Sequence, residues 1–144
     1  MKQQFNKGCR APGYQGIRLQ QLIDGLVGNS LPAASNHGSV VRNEVGRAVV
    51  LTGLNDAFTQ LLQEVLEAVI DSSRRGNIHI SVCRQQHQLV LQITEKNNFN
   101  GYALSHRIGT LSQDAETIGS SLEIHNARQL ETIISLSIPG KLAA

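Results

Sequence analysis

Apolar side chains between residues 55 and 75 recur at steps of three and four, which is the period of one face of an α-helix. The members of this stripe are Phe58, Leu61, Leu62, Val65, Leu66, Val69 and Ile70. Asn55 is placed to cap this helix and Gly76 to end it. A second stripe with the same period predicts a helix that starts at Tyr102 and ends at Gly119. Its members are Leu104, Ile108, Leu111, Ala115 and Ile118. Each helix is therefore expected to pack one face on a core.

An alternation of apolar and polar residues follows each of these helices, and this is the pattern of a β-strand with one buried face. After the first helix the inward positions are Ile78, Ile80 and Val82, then Leu89, Leu91 and Ile93. The short connection RQQHQ, residues 84–88, predicts a hairpin between them. After the second helix the inward positions are Leu122 and Ile124, then Ile134, Leu136 and Ile138. Residues 94–101, TEKNNFNG, are polar and predict a loop.

The chain before residue 55 carries weaker signals. Residues 1–16 are polar and glycine-rich, and they predict a flexible arm. Near-helical spacing from Ile17 to Val27 predicts a short helix that Gly28 and Asn29 end, with residues 30–38 as a connector. Residues 39–45 and 47–53 are rich in β-formers on either side of Gly46, so they predict an antiparallel strand pair.

The resulting order is a helix followed by β-β-α-β-β-α-β-β. Strand pairs joined by short turns, interspersed with helices, predict an α/β (α+β) fold. We expect a two-layer sandwich, with a mixed, mostly antiparallel sheet of about five strands and helices on one face. Residues 1–37 form the arm and short helix in this interpretation, and residues 38–144 form the main domain.

Composition excludes several classes of function. The chain has no Trp, two Tyr and three Phe, so its core must be aliphatic and it lacks the stacking platforms of single-stranded nucleic-acid binders. A net charge of +2 is too small to predict a nucleic-acid or membrane partner. Cys9 and Cys83 do not form a disulfide framework. The sequence has neither a secretory signal nor a stretch long enough to span a bilayer, so we expect a cytoplasmic protein without membrane contact.

The order of elements, with TIGSSLEIHN at residues 117–126 and TIISLSIP at residues 132–139, resembles the catalytic, ATP-binding domain at the C-terminus of sensor histidine kinases, a branch of the GHKL ATPase family. The resemblance covers roughly residues 38–139. It implies that ATP and magnesium would lie between the two long helices and the sheet. It also implies a role in bacterial two-component signalling, with a protein partner.

In the family, the first long helix carries two polar residues four positions apart, and the second of them holds the magnesium ion. Aligned on this helix, these positions are Glu64 and Ala68. An alanine offers no oxygen ligand, and magnesium requires one. Shifting the frame by one residue gives Gln63 and Glu67, but that frame displaces the apolar stripe. The resemblance implies a general-base role for Glu64; the alternative is a helix glutamate facing solvent.

The family's next motif is an aspartate that binds the adenine amino group, followed by two glycines. Here Glu95 stands at the aspartate position, while Asn97 and Phe99 stand where the glycines would be. Phe99 is expected to fill the space of adenine rather than to stack on it. Thr132 matches the threonine of the family's final Gly-Thr pair. The family's glycine-rich lid is missing, because the chain passes from residue 100 directly into the second helix.

Three hypotheses follow. The first is a histidine-kinase-like ATPase domain with lost or weak Mg-ATP binding, acting as a regulatory or docking module. The second is an active kinase domain that phosphorylates a histidine on a partner, with Glu64 and Glu95 as substitute ligands. The third is a protein-interaction module that binds no nucleotide.

Histidines and the first helix leave two further points. Neither His37 nor His106 has the context of a phosphoacceptor, and no His/Cys spacing indicates zinc.

A homodimer is possible through the apolar stripe of the first helix, although packing of that stripe on the sheet is an equal alternative. The stripe consists of Leu19, Leu22, Leu26 and Val27.

Overall fold

The computed structural model describes residues 16–52, 56–98, 101–125 and 131–140. In chain order its elements are β1 (Ile17–Arg18), α1 (Leu19–Asn36), β2 (Val40–Asn43), β3 (Val50–Leu51), α2 (Asp56–Asp71), β4 (Ser73–Gln85), β5 (Gln88–Asn98), α3 (Gly101–Thr117), β6 (Leu122–His125) and β7 (Glu131–Ser137). Most of the predicted arm, the capping Asn55 and the turn at residues 126–130 lie outside the described residues.

The main sheet has five strands in the order β2-β4-β5-β7-β6. Strand β2 runs parallel to β4, and the other three pairings are antiparallel. The predicted mixed, mostly antiparallel sheet is thus confirmed. Strands β4 and β5 are joined by a two-residue turn at Gln86 and His87, which both have positive φ (49° and 68°). Two positive φ values are typical of the tight hairpin turn that suits twisted strands.

One face of the sheet is buried and the other is partly exposed. Ile80, Ile93, Ile134 and Ile124 stand side by side across β4, β5, β7 and β6. The helices α1, α2 and α3 cover this face, and their apolar stripes complete a mainly aliphatic core that includes Phe58. The neighbouring positions Ser81, Gln92 and Ser135 alternate to the other face and are only partly buried. Period-two burial of this kind is what a one-sided sheet requires.

The predicted strand pair before α2 is wrong. Within the described part of these two segments, residues 39–45 and 47–52 do not pair with each other: Val41 of β2 lies opposite Ile78 of β4, and Leu51 of β3 lies opposite Ile17 of β1. Asn43 turns the chain away at the end of β2. Its amide donates to the Gln20 carbonyl at 2.9 Å, and its oxygen accepts from the Val45 amide at 3.1 Å.

Helix α1 is also longer than predicted, because it runs through Gly28 and Asn29 and ends at Asn36. The buried positions of the helix are Leu19, Ile23, Leu26, Ser30 and Ala34, so its buried stripe continues beyond Gly28 and Asn29. Gly38, with φ +68°, supplies the left-handed residue that stops the helix, and the Ser39 amide donates to the Ala34 carbonyl. Because this stripe packs inward, Leu19 and Leu26 belong to the core of the chain itself.

The end of α3 follows the prediction. Gly119 has φ +82°, and the Ser120 amide donates to the Ala115 carbonyl at 2.9 Å. This six-to-one hydrogen bond across a left-handed glycine is the Schellman arrangement. It turns the chain directly into β6, so that Leu122 enters the sheet with its side chain on the buried face.

Candidate functional site

Glu95 and Thr132 are brought together at one end of the buried sheet face. Glu95 lies in β5, opposite Thr132 of β7 on one side and Ile78 of β4 on the other. Its position is in phase with Leu91 and Ile93, so its side chain points toward the helices. Glu95 is 1% exposed and Thr132 is 0% exposed. The strand register therefore places a carboxyl group and a hydroxyl group side by side in the core.

The Glu95 carboxyl group is an unusual component of this core. Both of its oxygens are buried, and neither has a hydrogen-bond partner among the described residues. Burial raises the pKa of Glu95 from 4.5 to about 7, because the charged form is poorly solvated there. Native proteins pair nearly all of their buried polar groups with protein, ordered water or a ligand, and the described residues supply no such partner to this carboxyl group.

Gly76 makes room for this carboxyl group. A Cβ atom at Gly76 would lie 2.6 Å from Oε2 of Glu95 and 3.1 Å from Cβ of Ser73, so a larger residue would displace the glutamate side chain. Strand β4 is irregular here, with a register shift between Ser73 and Asn77. In the sequence pattern Gly76 marks only the end of a helix, and nothing there indicates this contact.

A hydrogen-bonded frame fixes the backbone around Gly76. The Ser73 hydroxyl lies 2.6 Å from the Ser39 hydroxyl and 2.7 Å from the Ile70 carbonyl. The Gly76 amide donates to the Ser39 hydroxyl at 3.1 Å. The end of α2, the start of β2 and the bulge in β4 are tied together by these two serines. These two serines could not be predicted from the sequence pattern, because serines are frequent in loops.

Ala68 is fully buried on α2. It lines a small cavity of about 90 Å³ between α2 and α3, whose other lining residues are Asp71, Ser72, Ala103, Leu104 and Arg107. The Ser72 hydroxyl is within hydrogen-bond distance of the Ala68 carbonyl at 3.0 Å, so it serves the end of the helix. A methyl group cannot coordinate a cation, so Ala68, which the sequence pattern aligns with the family's magnesium ligand, does not fit that ion.

Glu64 lies one turn before Ala68 and is half-buried. It lines two larger clefts between α2 and α3, of about 340 Å³ and 210 Å³. Arg107 on α3 lines the smaller of these two clefts, and its Nη1 lies 3.1 Å from Oδ2 of Asp71 on α2. Glu64 and Ala68 thus face the α2–α3 groove, whereas Glu95 and Thr132 face the helices from the sheet.

The alternative alignment of the family's first motif, through Gln63 and Glu67, places Gln63 beside helix α1 and not beside α3. The Gln63 amide donates to the Ser30 hydroxyl on α1 at 3.3 Å and to the Glu67 carboxylate at 3.2 Å. Gln63 therefore contacts α1, on the side of α2 away from the α2–α3 groove. The frame through Glu64 and Ala68 is the one that faces α3.

The remaining predicted positions lie at the end of β5. The predicted loop at residues 94–101 is wrong in its first part, because β5 continues through Asn97 to Asn98. Phe99 lies outside the described residues. Helix α3 begins at Gly101, soon after the strand.

The described residues contain no group of three or more His, Cys, Asp or Glu side chains that could hold a metal ion. Within the same ranges, no helix combines the length and the apolar character needed to cross a bilayer.

Comparison with known proteins gives a consistent result at the level of the fold. No protein-family model matches the sequence, and no curated protein matches it. Among solved structures, the Acinetobacter baumannii histidine kinase AdeS is similar with a TM-score of 0.68 and 12% identity, over 90% of this chain and 68% of AdeS. The nucleotide-free catalytic domain of the histidine kinase ThkA gives a TM-score of 0.69 and 13% identity, over 87% of this chain and 94% of that domain.

A third similar structure is full-length ShkA, solved in complex with AMPPNP. It gives a TM-score of 0.69 at 8% identity, over 95% of this chain and 33% of ShkA. At such low identity the likeness concerns the path of the backbone and not the chemistry of the site. The chain has the fold of the catalytic, ATP-binding domain of sensor histidine kinases, the GHKL fold.

Proposed function

We propose that this chain is a histidine-kinase-type ATPase-like domain that binds adenine nucleotides weakly, without magnesium, and acts as a regulatory or docking module in cytoplasmic two-component signalling. The observation that carries the proposal is the buried methyl group of Ala68 at the family's magnesium position. Hard cations require oxygen ligands, and this position supplies none. If ATP binds here, the protein would recognise it mainly through the adenine base.

The base-binding half of the site supports retention of nucleotide binding. Glu95 and Thr132 are cross-strand neighbours, and the Glu95 oxygens lack partners among the described residues. A ligand that brings a hydrogen-bond donor to Glu95 would remove the cost of leaving this group unpaired. Adenine carries such a donor in its 6-amino group.

The phosphate-binding half argues against phosphoryl transfer. Transfer depends on electrostatic stabilisation of the phosphoryl group, usually through a divalent cation that bridges the phosphate oxygens. The cavity beside Ala68 is small, and it contains the Asp71–Arg107 ion pair. Since Ala68 cannot bind a cation, a triphosphate bound here would lack the metal ion that usually compensates its charge during catalysis.

The test is a calorimetric titration of the full chain with ATP, in magnesium and again in excess chelator. We expect weak binding in both conditions with similar dissociation constants. Glu95→Ala is expected to abolish that binding, and Glu131→Ala, which removes an exposed carboxylate, is the matched control that leaves it unchanged. Micromolar binding that disappears with chelator would overturn the proposal.

An active kinase is the second candidate, and the position of Glu64 favours it. Glu64 is half-buried in the α2–α3 groove, where a substitute metal ligand or general base would have to lie. This candidate predicts transfer of the γ-phosphate of radiolabelled ATP to a histidine of a partner domain. Loss of that transfer in Glu64→Ala, with adenosine binding retained, would establish it in place of the first.

A further inference from the structure

The groove between α2 and α3 is acidic at the end where α2 begins. The 340 Å³ cleft at this end is lined by Asp56 and Glu64 of α2 and by Asp114 of α3, and no basic residue is among the described residues that line it. None of the three carboxylates forms an ion pair with another described residue. Basic residues line only the next cleft, where His106 and Arg107 lie. The acidic character is therefore confined to the end of the groove near the start of α2.

The shape of this acidic cleft suits an extended peptide with several cations. Asp56 and Glu64 are eight residues apart on one helix, which corresponds to about 12 Å along its axis. A single small cation cannot neutralise both, whereas a segment with several basic side chains can. The floor between them is apolar, because it contains the buried Leu61, with Ala57 and Ile118 beside it. An apolar floor inside a charged rim is the usual arrangement of a surface that binds a protein segment.

The first described residues lie close to this acidic cleft. Strand β1 pairs antiparallel with β3, and Ile17 lies opposite Leu51. Because the two strands are antiparallel, following the chain back from Ile17 to Gly16 leads in the direction that β3 takes toward α2. The contact confirms this direction, since a Cβ at Gly16 would lie 3.6 Å from Cγ2 of Thr52. The chain before Gly16 therefore joins the fold beside the segment that leads into α2.

The distance from this point to the acidic cleft is short. Three residues separate Thr52 from Asp56, so the Cα atoms of these two residues lie within about 15 Å of each other. The six residues from Arg10 to Gly16 span up to about 20 Å when extended. The segment that precedes Gly16 is thus long enough to reach the cleft.

Residues 1–15, which make up most of the predicted arm, have the composition that the acidic cleft requires. They contain Lys2, Lys7 and Arg10 and neither Asp nor Glu. Phe5 stands between the two lysines and supplies an apolar side chain for the floor. The charge of the arm is therefore opposite to that of the cleft, and attraction between them lowers the free energy of contact.

We propose that the arm, residues 1–15, docks in cis in the acidic cleft between α2 and α3, with its cations on the carboxylates and Phe5 on the apolar floor. Since the arm is tethered to the fold, its effective concentration at the cleft is on the order of millimolar, and individually weak contacts are sufficient. A docked arm covers Glu64 from this end of the groove, so a ligand or partner that enters there must displace it. The arm is thus an autoinhibitory strap, and its docking does not depend on the proposed nucleotide binding.

The native Cys9 provides a probe inside the arm, between Lys7 and Arg10. In the full chain with Cys83→Ser, a nitroxide spin label on Cys9 broadens the NMR signals of the backbone amides that it approaches, and the reduced label is the reference. At low ionic strength we expect strong broadening of the amides that line the acidic cleft. The far end of α2, about 22 Å from its first residue, should remain sharp. Broadening should be lost at about 1 M salt, where the screening length is about 3 Å.

Charge reversal tests the cause of the contact. The arm variant carries Lys7→Glu and Arg10→Glu, and it should lose the broadening at the cleft. The matched control carries Arg42→Glu and Lys96→Glu, which change the net charge equally at exposed positions of the sheet face away from the helices. The control should keep the broadening of the parent chain.

A charge swap and a mixing experiment complete the test. Adding Asp56→Lys and Asp114→Lys to the arm variant should restore broadening at the cleft. Absence of broadening in the parent chain, its persistence in the arm variant, or its absence in the swapped variant would each overturn the proposal. In a mixture of spin-labelled chain with isotope-labelled Cys9→Ser chain, broadening at the cleft would place the arm on a second copy and overturn docking in cis. Nucleotide is left out throughout, so the result is separate from the calorimetric test of the proposed function.

Discussion

Replacing Glu95 by glutamine should make the protein more stable above neutral pH. The pKa of Glu95 is about 7 in the folded chain, and the ordinary value is 4.5. A carboxyl group whose pKa is raised by folding contributes its full stability below pH 4.5 and loses it as the pH rises to about 7. At about 1.4 kcal/mol per pH unit, this difference corresponds to about 3 kcal/mol of destabilisation above pH 7.

The glutamine variant keeps the size of the side chain and stays neutral at every pH in this range. Any constant difference in packing or hydrogen bonding between the two side chains is independent of pH. The free energy of unfolding of the variant minus that of the parent chain should therefore rise by about 3 kcal/mol between pH 4.5 and pH 8. Taking this difference also cancels the contributions of all other titrating groups that the substitution leaves unchanged.

Urea denaturation followed by circular dichroism, at half-unit pH intervals from 4.5 to 8.5, measures the quantity directly. Glu131→Gln is the matched control, and its difference curve should stay nearly flat because its side chain is exposed. A flat curve for Glu95→Gln as well would refute the reasoning, because it would mean that Glu95 is solvated or paired in the folded chain.

Three further substitutions test the geometry of the site. Gly76→Ala should lower the free energy of unfolding by about 1–3 kcal/mol, because the new methyl group overlaps the Glu95 carboxyl group; in a Glu95→Ala background the loss should shrink, and an equal loss in both backgrounds would show that the two residues do not conflict. Arg107→Ala should cost less than about 1 kcal/mol in the same assay, since its ion pair with Asp71 is exposed to solvent; a larger loss would mean that the pair holds α2 and α3 together. Ala68→Asn should lower the free energy of unfolding by about 1–3 kcal/mol, because it buries an amide group without a partner. Calorimetry should still show no magnesium dependence of ATP binding in this variant. A magnesium-dependent gain in affinity would mean that the methyl group of Ala68 alone prevents magnesium binding.

The parts of the fold that depend on local periodicity could be predicted from the sequence. The stripe from Phe58 to Ile70 and the alternation from Ile78 to Ile93 each bury one face, and the structure confirms both. The start of the chain could not be predicted in the same way. A β-rich segment does not specify its partner, and β2 finds its partner in β4, across the whole length of α2.

The length of α1 shows how packing overrides local preference. A glycine inside a helix costs only about 1 kcal/mol, and an asparagine costs less. Continuing the helix beyond Gly28 and Asn29 buries Ser30 and Ala34 on the same face as Ile23. The stop signal at Gly38 is stronger, because it adopts the left-handed conformation with φ +68°. The sequence offered both glycines, and only the tertiary contacts distinguish them.

The candidate site also combines features that local periodicity predicts with features that depend on long-range contacts. The inward direction of Glu95 follows from its phase with Leu91 and Ile93, so the sequence could predict that it points to the core. Its contact with Gly76 depends on an irregular register in β4, and its partnership with Thr132 depends on the pairing of β5 with β7. These are long-range features, and alternation alone cannot give them.

The two halves of the site differ in what the fold itself explains. Ala68 needs no ligand to justify it, because a buried methyl group on a packed helix face stabilises the core. Glu95 has the opposite character: about 3 kcal/mol is a large fraction of the 5–15 kcal/mol by which small domains are stable, and an apolar side chain there would avoid that cost. A buried carboxyl group that packs against Gly76 without a hydrogen-bond partner among the described residues would be stabilised by a partner that donates to it. Under the proposed function, recognition of the base would depend on Glu95, whereas the buried Ala68 belongs to the core.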